Sequence, residues 1–353
     1  MKRLVMVLLI VMIVTGASCA PQTLTNSLSG INEKDLKWEY SFGLDSLTCK
    51  INALIEYNSI PIKIYSVQYD AFNLEDIKVY LQYFDIPIDN INSIPIEGNY
   101  TTKAGDNAYI MLSENYISVQ LGTLGIVQLE DWVVVGNAYP GEPSGTLLLN
   151  IKIKQDEAEK IAEQVVTTLN INNVTLSEAT KARIIAPDNH TITEGWYLSY
   201  VFNVGSIPFD IAYASPYGDM LFQPGKYTAP WSPQRLDLFI DHEGVKYFRF
   251  CDRLKTISMD DTELMPLDEI KSKIIGYFKE GYQNTHLSEE DAPTIIRITL
   301  SHSLIKGQKD GEGILVPAWI VYFTTPYYKK NYLLPAALCI NAIDGSRIDP
   351  FYG

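Results

Sequence analysis

Histidine and cysteine are scarce, at four each in 353 residues. His190, His242, His286 and His302 stand far apart. None forms a His-Glu-x-x-His pair or shares ligand spacing with a cysteine, so no local metal motif exists. His190 follows Pro187-Asp188-Asn189 and reads as a solvated loop residue. Asp241-His242-Glu243-Gly244 reads as a hairpin turn between Leu238-Phe239-Ile240 and Val245-Lys246-Tyr247-Phe248. There is no Gly-x-Ser-x-Gly elbow, no P-loop and no Gly-x-Gly-x-x-Gly. The single Ser-x-x-Lys, Ser303-Leu304-Ile305-Lys306, lacks its Ser-Asp-Asn and Lys-Thr-Gly companions and lies where a strand runs into a loop. Lys309-Asp310-Gly311-Glu312-Gly313 is too short for a calcium loop and reads as a hairpin. Asp260-Asp261 and Glu289-Glu290-Asp291 sit ahead of expected helix or strand starts, where carboxylates cap or turn. These absences point to no catalytic, cofactor or metal residues, although a dispersed carboxylate pair needs no local motif. Basic charge is also short: 28 Lys and Arg against 42 Asp and Glu give a net charge of −14. That balance excludes an electrostatic hold on nucleic acid or anionic lipid.

Long apolar runs are missing except at the start. Lys2 and Arg3 precede eleven apolar residues, 4–14, then Thr15-Gly16-Ala17-Ser18-Cys19. The run is too short to span a bilayer, which takes about 20 residues. It has the layout of a secretory signal peptide. The cysteine directly after small residues resembles a bacterial lipobox. In that class of signal the cysteine becomes the N-terminus and carries lipid, so residues 1–19 form a lipoprotein leader with Cys19 the lipidated residue. The other reading is an ordinary leader cut near Ala17 or Ala20. Residues 20–35 are rich in Ser, Thr, Asn and Gln and read as a flexible tether. Loss of Lys2 and Arg3 with the leader takes the net charge from −14 to −16. The expected location is the outer face of the cell membrane, held by lipid.

Beyond Cys19 there are Cys49, Cys251 and Cys339, an odd number that rules out a full disulfide framework. Cys251 and Cys339 pair if their strands are neighbours; otherwise all three are buried thiols. Sparse cysteine fits an exported protein of a Gram-positive bacterium.

Apolar content is that of a globular protein, and 23 tyrosines suit half-buried strands. Residues 36–145 read as a β-rich N-terminal domain with one helix, N-capped by Asn73 and carrying Leu74, Ile77, Leu81 and Phe84 on one face. Residues 146–230 and 231–353 read as two variants of one unit. The first runs strand 146–153, helix 155–170, strand near 182–185, Trp196 strand, strand 209–213 and a Gly turn at 217–219. The second has a helix from Pro266, strand 294–300, Trp319 strand, strand 336–342 and a turn at Asp344-Gly345. Ala158, Ile161, Val165, Val166 and Leu169 stand 109 residues before Leu267, Ile270, Ile274, Ile275 and Phe278. Residues 224–235, with three prolines, read as the joint. Alternation sends Trp319, Val321 and Phe323 to one face of their strand, and Ile320 and Tyr322 to the other. The pattern predicts an α+β fold of tandem antiparallel sheets, each covered by a helix.

Val316-Pro317-Ala318-Trp319-Ile320-Val321-Tyr322, followed by Cys339-Ile340-Asn341-Ala342-Ile343-Asp344-Gly345, resembles the end of PepSY-like domains and of YycH/YycI-type exported regulators. Asn341 stands where those domains usually have Asp. The resemblance covers about 85 residues, 266–350, and the first unit loosely. It implies two PepSY-like or YycH-like units outside the membrane, with an inhibitory or regulatory role. The loop Thr325-Pro326-Tyr327-Tyr328-Lys329-Lys330-Asn331-Tyr332 is a candidate partner contact through Tyr327, Tyr328 and Tyr332. The expected function is a non-enzymatic surface lipoprotein that binds and modulates a protein or peptide. The alternative is a solute- or glycan-binding lipoprotein.

Overall fold

The structure, a computed structural model, describes residues 37–44, 47–56, 62–86, 100–104, 108–113, 115–122, 125–129, 132–133, 149–185, 192–204, 207–208, 222–232, 234–283, 288–326 and 335–349. The leader 1–19 with Cys19, the tether, the strand expected at 209–213 and the turn at 217–219 lie outside them.

The described strands form two sheets. The first holds β1 (Lys37–Leu44), β2 (Leu47–Glu56), β3 (Lys63–Tyr69), β12 (Tyr227–Thr228), β15 (Leu254–Asp261), β16 (Thr294–Lys306), β17 (Glu312–Thr324), β18 (Ala336–Asn341) and β19 (Arg347–Asp349). Its order is β1-β2-β16-β17-β18-β19-β12, with β3 on β17 and β15 on β3. The second holds β4 (Tyr100–Ala104), β5 (Ala108–Leu112), β6 (Tyr116–Leu121), β7 (Ile126–Leu129), β8 (Trp132–Val133), β9 (Val174–Ile185), β10 (Ile192–Val204), β11 (Ile207–Pro208), β13 (Arg235–Asp241) and β14 (Gly244–Cys251). It runs β4-β5-β6-β14-β13-β10-β9-β7-β8, with β11 on β10.

Local pattern explains most elements. In β2, Leu47, Cys49, Ile51, Ala53 and Ile55 are buried while the residues between them are exposed, the period of a half-buried strand. Helix α1 (Leu74–Tyr83) starts at Asn73, whose side chain accepts from the N–H groups of Glu75 and Asp76 while Asp76 accepts from Asn73 N–H. It lays Ile77, Tyr80 and Leu81 on the second sheet. Helix α2 (Gln155–Thr168) covers the same sheet through Ala158, Ala162 and Val165. Helix α3 (Leu267–Gly281) covers the first sheet through Ile270, Ile274 and Phe278, one residue per turn. Phe278 meets Phe222 and Phe323 edge-on at 5.4 and 5.0 Å between ring centres.

The β17 strand carries Trp319, Val321 and Phe323 into the core beneath α3 and Ile320 and Tyr322 into the opposite cluster, as alternation predicts. Proline in a central strand normally removes a ladder bond. Here the far edge of β17 changes partner, from β3 along Glu312–Leu315 to β18 along Ala318–Phe323, and Pro317 sits in the gap. Its carbonyl accepts from Ala342 N–H at 2.8 Å, so that side of Pro317 faces the fork, and its missing N–H breaks no pairing. After β18, Asn341 Oδ1 accepts from Ile343 N–H at 2.9 Å, and Gly345 takes φ 69°. The turn uses only an acceptor at position 341, which is why Asn serves in place of Asp.

Several expectations change. Residues 149–153 are not a strand. Their apolar side chains, Ile151 and Ile153, instead anchor the approach to α2, and the Ile153 carbonyl accepts from Trp196 Nε1 at 3.0 Å. The expected N-terminal domain, 36–145, is divided: β1 to β3 lie in the first sheet and β4 to β8 in the second. The 231–353 segment is divided too, because β13 and β14 pair with β10 while β15 pairs with β3. Cross-strand burial, which acts over long sequence distances, set these partners. The first sheet is also mixed: β2 runs parallel to β16, and β12 to β19. Cys251 lies on the second sheet and Cys339 on the first; with Cys49 they are buried thiols, none in a disulfide. Burial pushes the Cys49 and Cys251 thiols up to about 12.

Candidate functional site

The chain crosses between sheets after Cys251. Asp252 turns with φ 55°, a left-handed conformation that a short polar side chain tolerates. Its N–H donates to the Asn115 carbonyl at 2.7 Å. Arg253 follows and binds the β3–α1 link. Its guanidinium donates to the carbonyls of Asp70 and Ala71 and to Asp76 Oδ2 at 3.3, 3.0 and 2.8 Å. It also lies 4.3 Å from the Phe72 ring centre. Asp76 therefore both caps α1 and holds the crossover, which ties the two sheets together at one point.

Burial pushes the Asp252 carboxyl up to about 6. The folded chain binds that proton more tightly than the unfolded one. The resulting stability is present below the ordinary carboxylate value and is lost as pH rises through about 6. Asp252→Asn keeps the left-handed turn and removes the charge. It is expected to raise stability at pH 7 by about 2 kcal/mol and to flatten the decline between about pH 4 and 6. Urea midpoints at both ends of that range check this; an unchanged slope would refute it.

Beside this crossover a cleft of about 420 Å³ opens between the sheets. Tyr65, Val67 and Leu315 lie buried beneath it. One wall is the turn after α2, Asn170-Ile171-Asn172-Asn173, in which Asn170 and Asn173 take φ 51° and 59°. The Asn173 carbonyl accepts from Asn203 N–H at 2.7 Å, and Asn203 Nδ2 donates to Thr175 Oγ1 at 2.6 Å, which fixes the wall to β10. The other wall carries Arg253, Leu254 and Thr256, with Gln234 bridging the sheets through Leu254 N–H at 3.2 Å. Asp70 and Tyr80 close the end beside Arg253. Asn170, Asn172, Asn173, Asn203 and Gln234 set five amide residues around one space, with Asn172 Nδ2 donating to Asn170 Oδ1 at 3.2 Å, so part of their hydrogen-bonding capacity holds the walls and the rest faces the cleft.

A second polar group is buried in the sheet. Arg235 Nε lies 2.8 Å from Asp237 Oδ1 and 2.6 Å from Oδ2, and Arg235 Nη2 donates to Tyr197 Oη at 3.0 Å. Ser199 Oγ donates to Asp237 Oδ1 at 2.9 Å. Asp237 is 0% exposed and the Arg235 side chain reaches solvent at only 19%, so this serine–carboxylate–arginine set reads as core structure. Burial raises the Tyr197 hydroxyl well above its usual value, and the Asp237 charge adds to the rise.

Of the histidines singled out in the sequence, the two among the described residues, His242 and His302, lie on different sheets. Cys19, Tyr327, Tyr328 and Tyr332 lie outside the described residues, as do His190 and His286. His242 occupies the β13–β14 turn, where Asp241 Oδ1 accepts from Glu243 N–H at 2.8 Å. His302 is buried in β16, edge-on to Tyr65 with Nε2 3.0 Å from the Lys63 carbonyl. Ser303 and Lys306 both lie in β16. Asp260 and Asp261 end strand β15 rather than precede a helix. Among the described residues no three His, Cys, Asp or Glu side chains converge as a metal site. The cleft residues escaped sequence reading, since Asn170 to Asn173 look like any polar turn. The local signal was their density of amides.

A solved structure of an uncharacterized protein from Eubacterium rectale superposes with a TM-score of 0.57 at 13% identity, covering 92% of this chain and 97% of that one. At that identity the likeness shows a shared fold alone. The Bacillus megaterium YpeB C-terminal domain gives a TM-score of 0.30 at 10% identity over 79% of this chain and 96% of that one, too slight to define a common fold. No family model matches the sequence, and no curated protein does.

Proposed function

We propose that this chain is an exported lipoprotein, held by lipid on Cys19, that binds and modulates a peptide or protein partner at the cell surface without turning it over. The leader motif and the likeness of 316–322 and 339–345 to PepSY-like and YycH/YycI-type units support the setting. The amide-lined cleft between the sheets carries the binding reading. Amide side chains match the alternating N–H and C=O groups of an extended peptide. Nucleic acid is an unsuitable ligand for a chain of net charge −14.

A benzophenone amino acid placed at Asn172, exposed on the cleft wall, tests this in living cells, with Lys279 on α3 as the control position. The expected result is one protein adduct from position 172 and none from 279. Absence of a cleft adduct would overturn the reading. The amide lining equally suits sugar hydroxyls, so a glycan- or solute-binding role is the second reading. Saturable thermal stabilisation by an oligosaccharide, with no protein adduct, would establish it.

A further inference from the structure

Strand β15 is open in an unusual way. It pairs with β3 on one side, and no described strand lies on its other. Every residue after Leu254 is exposed, including Ile257 at 51% and Met259 at 60%. Leu254 N–H is taken by Gln234 Oε1 at 3.2 Å, so it points away from β3. Alternation carries that outward direction to Thr256. A bulge at Ile257 then shifts the register: Tyr69, Val67, Tyr65 and Lys63 of β3 face Leu254, Thr256, Met259 and Asp261. These four residues therefore share one face and the outward-pointing backbone groups.

We infer that β15 is a self-complementary edge on which a second copy of this chain pairs as an antiparallel strand. A two-fold axis between Ile257 and Ser258 sets Leu254 opposite Asp261 and Thr256 opposite Met259; Leu254 N–H stays with Gln234 Oε1, and the Leu254 carbonyl and the outward groups of Thr256, Met259 and Asp261 meet their counterparts. In an unbulged strand, positions three apart would point opposite ways, so the bulge is what makes this register possible. The same axis sets Lys255 opposite Asp260 twice, two cross-strand ion pairs on one face. It also draws the exposed Ile257 and Met259 of both copies to the centre. Bulges and charges on an edge strand guard against indiscriminate pairing. Here a partner must match both, and the chain's own β15 does. A single strand pair is a small contact, so the dimer is weak and concentration-dependent.

Sedimentation of the purified chain over a dilution series at physiological ionic strength tests the inference. Wild type is expected to form a dimer on concentration. Lys255→Glu sets like charges opposite each other at both pairs and should weaken the dimer about tenfold or more. Adding Asp260→Lys reverses both signs and should restore it. Met259→Pro, which removes one outward N–H, should also weaken it. All these positions are exposed, so the fold is expected to survive, as circular dichroism would check. A wild type that stays monomeric, or a dimer indifferent to Lys255→Glu and Met259→Pro, would overturn the inference. Leu254 and Thr256 belong to both this edge and the cleft wall, but Lys255 and Asp260 do not line the cleft, so the charge-swap variants report on the dimer apart from ligand capture.

Discussion

Asp237→Ala is expected to destabilise the chain by about 3–5 kcal/mol, because it leaves the largely buried Arg235 guanidinium without its carboxylate. Asp237 is 0% exposed and receives Arg235 Nε and Ser199 Oγ, so no water replaces it readily. The pair itself need not be the most stable filling of that space. Removing two charges together also removes the desolvation cost of both. Arg235→Met with Asp237→Leu should therefore lose much less than Asp237→Ala alone. A double-mutant cycle from urea unfolding measures the coupling directly. A single-variant loss under about 1 kcal/mol would show that the carboxylate is better solvated than its burial implies.

The second large effect is expected at Trp319. Its ring is 1% exposed, in the cluster that α3 closes over the first sheet. Trp319→Ala opens a cavity in the middle of a strand flanked by β16 and β18, which holds the backbone against collapse. The loss should reach about 3–5 kcal/mol. Trp319→Phe should cost less than about 1.5 kcal/mol. The indole Nε1 is buried with no hydrogen-bond partner among the described residues, so phenylalanine loses only volume and sheds an unsatisfied donor. Urea midpoints for the two variants test the contrast. Equal losses would mean that the N–H, not the ring volume, matters at this position.

That tryptophan also shows how much of the fold was readable in advance. Alternation along 316–323 placed three side chains on one face and two on the other, and the structure agrees, with the first three under a helix. The helices were readable for the same reason, since Ile270, Ile274 and Phe278 repeat at the helical period. Strand β15 was not readable. A strand solvated on both faces has no apolar alternation, and only its pairing with β3 reveals it. The apolar residues at 151 and 153 misled in the opposite sense, because one is half-buried and the other buried without either belonging to a strand. The amide cleft was hidden too, as Asn170 to Asn173, Asn203, Gln234 and Thr256 are far apart in the chain.

The sequence alone determined the composition of the cores, the three helices and most strands among the described residues, the turn chemistry at Asn73 and Asn341, and the lipobox-like start. These are local matters, set by side-chain period, capping and backbone freedom within a few residues. Tertiary structure alone decided which strands became neighbours. It sent β1 to β3 to one sheet and β4 to β8 to the other, parted Cys251 from Cys339, and opened a cleft beside Arg253. Those outcomes depend on burying apolar faces against distant partners, a requirement of the whole chain that no short segment encodes.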